Sequence, residues 1–359
     1  MATKKSMAEL RRKIDGLDRR ILGLLSKRAV IAKQLGAAKS GKARSILDVA
    51  RERAVVKAVL AANPGPLSND AVEAVFREVI SACRDSQRPV RVAYMGPEGT
   101  FSHEAAIKQF GRTAGHEAVA TIAEVFSAVE AGRCSYGVVP VENTSEGAVT
   151  PTLDCLLGSG VRILAEVVVK VDHCLMSRDA DVARIRRIAS HPQPLAQCRR
   201  YLGERFPGLE LRETASTTAA AKLAARTPTT AAIASRLAAK IYGLKLVARS
   251  VQDQAGNVTR FLVLGMDKQG RPSGDDRSSL VVSVRDEVGV LERVLKPFAR
   301  NGVNMSMIES RPLAGRSWEY NFFMDISGHV EEKNVAFALA EVAKEAIAVK
   351  VLGSYPVAG

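Results

Sequence analysis

Two groups of residues in this chain have types and spacings suited to chemistry. The first is a set of cations set into an apolar helical pattern near the N-terminus. Arg11 follows Leu10, Arg28 falls where the apolar stripe would continue, and Lys39 and Arg51, with the acidic Glu52 beside them, follow around the next loop. Cations on a buried face need anions, so the set reads either as an anion-binding pocket or as a solvated basic face. The second is the cluster Asn257-Val258-Thr259-Arg260-Phe261, which leads into the apolar run ending at Leu264. A hydroxyl and a guanidinium at a strand's mouth can hold an anion and donate a hydrogen bond to it, although such residues are commonly a turn bond and a solvated charge.

Polar runs of the same kind lie upstream, each after an apolar strand and before a helix. They are Gly96-Pro97-Glu98-Gly99-Thr100-Phe101-Ser102, then Glu142-Asn143-Thr144-Ser145-Glu146-Gly147, then Ser190-His191-Pro192-Gln193-Pro194, and last Ser216-Thr217-Thr218. Taken singly, each is a strand-to-helix turn with a capping hydroxyl. Repeated at the C-terminal ends of strands, they form the ligand crevice of an open α/β sheet, where helix N-termini can bind carboxylates.

The elements that must position these groups follow from the rest of the chain. Its 359 residues predict two or three domains, because single cores stop growing at roughly 250 to 300 residues. An apolar content of 47% with 25% charged residues reads as a soluble globular protein of the cytoplasm. No stretch approaches about 18 uninterrupted apolar residues, and no apolar core follows the charged N-terminus, so neither a membrane span nor a leader is expected. Cys83, Cys134, Cys155, Cys174 and Cys198 are odd in number and lack a CxxC pair, and the histidines show no ligand spacing. No metal is implied, and the absence of a GxGxxG pattern argues against a dinucleotide cofactor.

Of the net charge of +14, residues 1–60 supply +11, with 16 Lys and Arg against 5 Asp and Glu. That segment lacks stacking aromatics and a recognition motif, so nucleic acid is not the expected partner. Leu10, Ile14, Leu17, Ile21, Leu24, Leu25, Ile31 and Leu35 recur every three or four residues, predicting one helix from Met7 to Ala38. Such a helix would span roughly 48 Å. After a loop at Gly41, Asp48 caps a second helix reaching Ala62, Asn63-Pro64-Gly65-Pro66 breaks the chain, and a third runs from Ser68 to Gln87. Three such helices cannot close a core alone, which predicts an intertwined homodimer or a higher assembly.

The pattern from Leu10 through Asp18, with Arg28, Lys39 and Asp48-Val49-Ala50-Arg51-Glu52-Arg53, resembles the all-helical chorismate mutase family. The resemblance implies that Arg11 crosses to the partner subunit's site and that Arg28 and Arg51 grip the carboxylates of chorismate. It gives Lys39 a carboxylate and the ether oxygen, Gln87 the ether oxygen, Asp48 and Glu52 the ring hydroxyl side, and Cys83 a minor contact. A Claisen rearrangement needs no nucleophile or base, only a compact conformer and donors aimed at the ether oxygen where negative charge develops.

From residue 90 to 268, the polar runs together with the Thr259 cluster resemble the prephenate dehydratase family, whose fold is two α/β lobes around a cleft, similar to periplasmic binding proteins. The resemblance implies that Thr259 contacts the departing hydroxyl of prephenate, helped by Arg260, Glu98, Glu142 or His191. Thr100, Asn143, Ser190, Gln193, Ser216, Thr217 and Arg260 line the cleft in this reading, and Phe261 packs in the core. A Gly, Pro, Ser and Asp rich linker spans Lys268 to Arg277, and the pattern beyond it is βαββαβ. Gly289-Val290-Leu291, Asn304 and Glu309-Ser310-Arg311-Pro312 resemble the ACT regulatory domain, which implies a phenylalanine site at a subunit interface. The expectation is therefore three domains, an all-α unit over 1–88, a two-lobed α/β unit over 89–268 and an α+β unit over 278–359. The activity implied is a bifunctional chorismate mutase and prephenate dehydratase inhibited by phenylalanine, with no cofactor. A catalytically silent phenylalanine sensor is the competing reading, and the basic helical set has no use in it.

Overall fold

The computed structural model describes residues 6–39, 47–312 and 319–358, excluding the side chains of Lys39 and Glu319. The expected loop at Gly41 and a strand start at Trp318 lie outside the described residues. The chain forms two compact units, one of Met1–Val90 with Phe110–Gly115, the other of Arg91–Gln109 with His116–Gly359.

The first unit is helical, with α1 at Met7–Lys39, α2 at Val49–Ala61 and α3 at Asn69–Asp85. Asp48 and Ser68 start α2 and α3 by accepting the backbone N–H groups of Arg51 and Ala71, donors that a helix start otherwise leaves unpaired. The stretch after Phe110 packs on α3, where the Ser81 hydroxyl and Arg84 Nη2 both donate to the Phe110 carbonyl and Glu78 accepts from Arg112 N–H. The third helix stops at Asp85, short of the expected Gln87. There the Ser86 hydroxyl donates to the Cys83 carbonyl and the Asp85 carboxylate takes the Val90 N–H, turning the chain away.

The second unit begins with a lobe of β1 (Arg91–Met95), β2 (Gly115–Val119), β3 (Tyr136–Asn143), the two-residue β4 (Gly147–Ala148) and β5 (Arg162–Lys170). Its helices are α4 (Phe101–Phe110), α5 (Ile122–Glu130) and α6 (Thr150–Gly158). A second lobe follows, built of β6 (Cys174–Ser177), β7 (Arg187–Ser190), β8 (Glu210–Glu213), β9 (Thr230–Ala234) and β10 (Lys245–Ala248). Around it lie α7 (Pro192–Gln197), α8 (Arg199–Arg205), α9 (Thr217–Arg226) and α10 (Arg236–Ile241). The chain then returns to the first sheet as β11 (Val258–Gly265), giving orders β2-β1-β3-β11-β5 and β10-β6-β9-β7-β8.

The two crossings between lobes run side by side, with Val171 N–H donating to the Asn257 carbonyl and Val251 N–H to that of His173. A further link comes from Ser235, whose hydroxyl donates to the Gly99 carbonyl at 2.6 Å. Gly99 has φ +89°, and a Cβ there would stand 3.0 Å from the Ala238 Cα, so a side chain would wedge this contact open.

The C-terminal part of this unit is β12 (Asp276–Arg285), α11 (Val290–Arg300), β13 (Met305–Pro312), β14 (Glu319–Ser327), α12 (Lys333–Glu345) and β15 (Ala348–Pro356). This is the expected βαββαβ order, with the sheet arranged β13-β14-β12-β15. One face of that sheet buries Val282, Val284 and Met324 against Val294, Phe298 and Val342 of α11 and α12. The other face is continuous with the first lobe, since Val281, Phe323 and Leu352 share a core with Val139, Ile163 and Leu262. Here β15 crosses β5 so closely that a Cβ on Gly353 would overlap the Ile163 backbone.

Beneath the Gly96–Ser102 turn, Tyr94 stacks on His103 with ring centroids 4.5 Å apart, and His116 stands edge-on at 5.5 Å. The Gly99 N–H donates to His103 Nδ1 at 3.1 Å, so the neutral ring holds the loop. Burial, with His116 adding to it, pushes the His103 imidazole down to about 4 from 6.5. The unfolded chain therefore takes up this proton first as pH falls, so the contribution is complete above pH 6.5 and drains away between 6.5 and 4. Imidazole NMR of the folded protein should show His103 still neutral at about pH 5.5; a titration midpoint near the ordinary histidine value would contradict this packing.

Candidate functional site

In the two-lobed unit the site is built on one pairing. The chain β11 runs antiparallel to β3 with Thr259 opposite Asn143 and Arg260 opposite Glu142. Because β1 and β3 are parallel, the N-terminal end of β11 lies at their C-terminal ends, where the turn carrying Thr100 also begins. Asn143 Nδ2 donates to Thr259 Oγ1 and to Asn257 Oδ1, both at 2.8 Å. Its amide orientation is set by the Ser145 N–H, which can only donate and reaches Asn143 Oδ1 at 2.9 Å. The Thr144 hydroxyl accepts from Val258 N–H and donates to Asn257, locking the second polar run onto β11. Asn143 thus occupies an acceptor lone pair of Thr259 and leaves the threonine proton to be donated elsewhere.

Strand alternation sends the next side chain the other way. The Arg260 side chain is 10% exposed and is ringed by Glu142, Glu166 and Asp325 at 3.2, 3.4 and 2.6 Å. Burial works against its charge, but Asp325, Tyr355, Glu166 and Glu142 outweigh that and hold it more firmly protonated than a free arginine. Expected among the prephenate ligands, Arg260 instead spends its guanidinium on carboxylates, and Glu142 is engaged with it. Ser190 departs from expectation too. It is fully buried, and its hydroxyl pins β7 to β9 by donating to the Ile233 carbonyl at 2.7 Å.

Other expected ligands are helix caps. Thr100 Oγ1 donates to the Met95 carbonyl and accepts from His103 N–H, and Ser216 Oγ accepts from Ala219 N–H at the start of α9. Thr217 is the first residue of α9, and the Thr218 hydroxyl behind it is buried with no hydrogen-bond partner among the described residues. Gln193 is exposed on α7, whose cap is His191, its Nδ1 accepting from Gln193 N–H at 3.4 Å. A neutral His191 with Nδ1 accepting carries its proton on Nε2.

In the helical unit, Arg11 and Arg51 are exposed, and the half-buried Arg28 donates to the Val79 carbonyl at 3.4 Å. Asp48 is occupied as the α2 cap. Both oxygens of Glu52 accept from Arg84 Nη1, at 2.7 and 2.9 Å. Burial raises the Glu52 carboxyl, with Arg84 partly offsetting it. Cys83 is buried, lining a groove of about 430 Å³ with Leu25, Ala29 and Val79. Gln87 packs on Gly36, one turn before Lys39 on α1. Lys39 ends α1, and its side chain lies outside the description.

On the C-terminal sheet, Gly289 caps α11 in the left-handed region at φ 78°, Val290 is half-buried, and Leu291 is exposed. Asn304, just before β13, and Ser310 on it are exposed, and Glu309 is half-buried. Several contacts were absent from the sequence reading, among them Glu166, Asp325 and Arg84. Glu166 and Asp325 each interrupt an apolar strand, which was the available signal. Among the described residues no group of three or more His, Cys, Asp and Glu could hold a metal, and no helix is long and apolar enough to cross a membrane.

The chain is similar to known proteins along its length. Residues 10–88 match the chorismate mutase type II family model, 92–269 the prephenate dehydratase model and 278–343 the ACT domain model. The bifunctional chorismate mutase/prephenate dehydratase of Stutzerimonas stutzeri is 42% identical over 362 residues, covering 99% of each chain. Among solved structures, the prephenate dehydratase of Arthrobacter aurescens in complex with L-Phe has a TM-score of 0.68 at 34% identity, covering 74% of this chain and 90% of its own. A structure described as a quorum-quenching acylase, GqqA, reaches 0.69 at 30% identity over 75% of this chain and 98% of its own, so the shared body does not by itself specify a reaction. The likeness to Stutzerimonas stutzeri extends through the helical unit as well, and the chain belongs to the bifunctional chorismate mutase/prephenate dehydratase family.

Proposed function

We propose that this chain rearranges chorismate to prephenate and converts prephenate to phenylpyruvate, with phenylalanine as its feedback inhibitor. The division of labour is an all-helical mutase over 1–88, a two-lobed dehydratase over 89–268 and an ACT domain over 278–359. The observation that carries the dehydratase reading is the Asn143 amide fixed on Thr259 Oγ1 at the mouth of β3 and β11. In the reaction the bond from the ring to its hydroxyl breaks and the ring carboxylate leaves as CO₂. The electron pair of the lost C–C bond enters the ring, and one proton converts the departing hydroxide to water.

Thr259, its acceptor side satisfied by Asn143, donates to that leaving oxygen. A threonine hydroxyl is too weak an acid to supply the proton alone. Arg260 and Glu142 are committed to each other, which leaves Glu98 and His191 as candidates, and His191 can present Nε2–H. The N-termini of α4 and α9, capped by Thr100 and Ser216, offer backbone N–H groups to the two carboxylates, with Asn143, Gln193 and Thr217 at the rim.

For the mutase step, Arg28 and Arg51 of one protomer and Arg11 of its partner hold the carboxylates of chorismate. Lys39 and Gln87 donate to the ether oxygen and Cys83 lines the pocket, while Asp48 and Glu52 act from behind it, Asp48 by capping α2 and Glu52 by holding Arg84. Leu10, Ile14, Leu17 and Ile21 are exposed along α1 in the single chain, in keeping with an intertwined homodimer in which they are covered. Gly289, Val290, Leu291, Asn304, Glu309 and Ser310 form the phenylalanine site at an interface between ACT domains. Five unpaired cysteines suit a reducing cytoplasm.

With chorismate as sole substrate, prephenate should appear first and phenylpyruvate after it; absence of phenylpyruvate rejects the dehydratase assignment. Thr259→Val should lower dehydratase kcat by about 10²-fold or more, the range for losing one donor at developing charge, and spare the mutase. Lys39→Ala should do the reverse. Parallel losses of both activities in either variant would refute separate sites.

A further inference from the structure

The rung of β11 next to Thr259 reaches into the ACT domain. Arg260 Nε donates to Glu142 on β3, Nη1 to Glu166 on β5, and Nη2 makes its closest approach, 2.6 Å, to Asp325 Oδ2 on β14. The same Nη2 lies 3.3 Å from the Met307 sulfur on β13, and Met307 and Asp325 face each other across the β13–β14 ladder. Asp325 is itself fixed, because Ser279 Oγ of β12 donates to its Oδ1 at 2.5 Å and the Tyr355 hydroxyl stands 2.7 Å from that Ser279. Glu166 is shared, accepting from Arg277 of β12 and from the Ala358 N–H.

Two adjacent rungs of one ladder therefore face two ways. Thr259 with Asn143 makes the catalytic pair, and Arg260 with Glu142 is clamped by the ACT sheet. Pairing with β3 shifts between Arg260 and Phe261 while pairing with β5 runs unbroken from Val258 to Val263, so the placement of the Thr259 rung against β3 rests on local contacts at Asn143 and Glu142.

We propose that Asp325 is a positioning residue for prephenate dehydration, holding Arg260 so that the Thr259–Asn143 pair keeps its catalytic geometry. The ACT domain is then a structural component of the dehydratase site. Asp325 touches no substrate and acts through Arg260 alone. Along β13, the face carrying Met307 is half-buried against this cluster while Ile308 and Ser310 are exposed on the other, so the strand expected to meet phenylalanine also touches Arg260.

The inference rests on the dehydratase reading, and the test separates the two. In the full-length protein, Asp325→Asn keeps the shape of the side chain and removes its charge. Dehydratase kcat, normalised to mutase activity in the same preparation, should fall at least fivefold, with KM changed less than threefold. A fall of less than fivefold overturns the proposal. Should that variant fail to fold, the double variant Arg260→Met/Asp325→Leu takes its place, since it removes the closest pair together and leaves Glu166 with Arg277 and Ser279 with Tyr355. Positioning predicts the same fivefold or greater loss in the refolded double variant; kcat within fivefold of the parent means Asp325 serves stability only. If the unmodified protein forms no phenylpyruvate, the dehydratase reading fails instead.

Discussion

The register in which β11 lies against β3 is the constraint on which the dehydratase half depends. It brings residues from the two polar runs, more than a hundred positions apart, into opposite places on neighbouring strands. Because side chains alternate, a slip of one residue would turn Thr259 out of the site and put Arg260 into it. Several contacts oppose that slip. Asn143 bonds both Asn257 and Thr259, Thr144 bonds Asn257 and Val258, and Val263 and Leu264 are fully buried. The polar network therefore selects the register, while the apolar end of the strand supplies the burial.

The cluster around Arg260 has a different physical character. Burying charges costs desolvation that attraction between them barely repays, so such clusters are weak as sources of stability. Their cost is steep once one partner is removed, and their geometry is directional. Apolar packing of Val281, Phe323 and Leu352 against Val139 and Leu262 joins the ACT sheet to the first lobe without specifying its orientation closely. Glu166, accepting from Arg260 and Arg277, and Asp325 opposite Arg260 add that specification. Lys350 does the same at the C-terminal end of α6, donating to the Leu156, Leu157 and Ser159 carbonyls.

Among its described residues the helical unit has no comparable interior. Its long helix shows apolar side chains to solvent along most of its length, while Val72, Ile80 and Cys83 supply most of what α3 buries. A helix with this pattern is stable only when its stripe is covered. That exposed stripe supports the proposed second chain and, with it, the proposed cross-subunit arginine.

Much of the architecture was legible in the sequence because it is periodic or local. The three-and-four spacing from Leu10 to Leu35 defined α1, Asp48 and Ser68 marked helix starts, and the Gly and Pro rich linker separated a βαββαβ pattern. Motif order likewise pointed to Thr259 and Asn143. What the sequence could not say was which way each polar side chain faces or what already occupies it, since that depends on partners far along the chain. Arg260 beside Thr259 reads as a ligand until Asp325, 65 residues later, is brought against it by the ACT sheet. Ser190 reads as cleft lining until β9 offers the Ile233 carbonyl, and Glu52 reads as a free carboxylate until α3 delivers Arg84. Residue type and spacing determined which groups could do the chemistry; tertiary structure decided which remained free to do it, because a hydrogen bond or charge satisfied inside the fold is no longer available to a substrate.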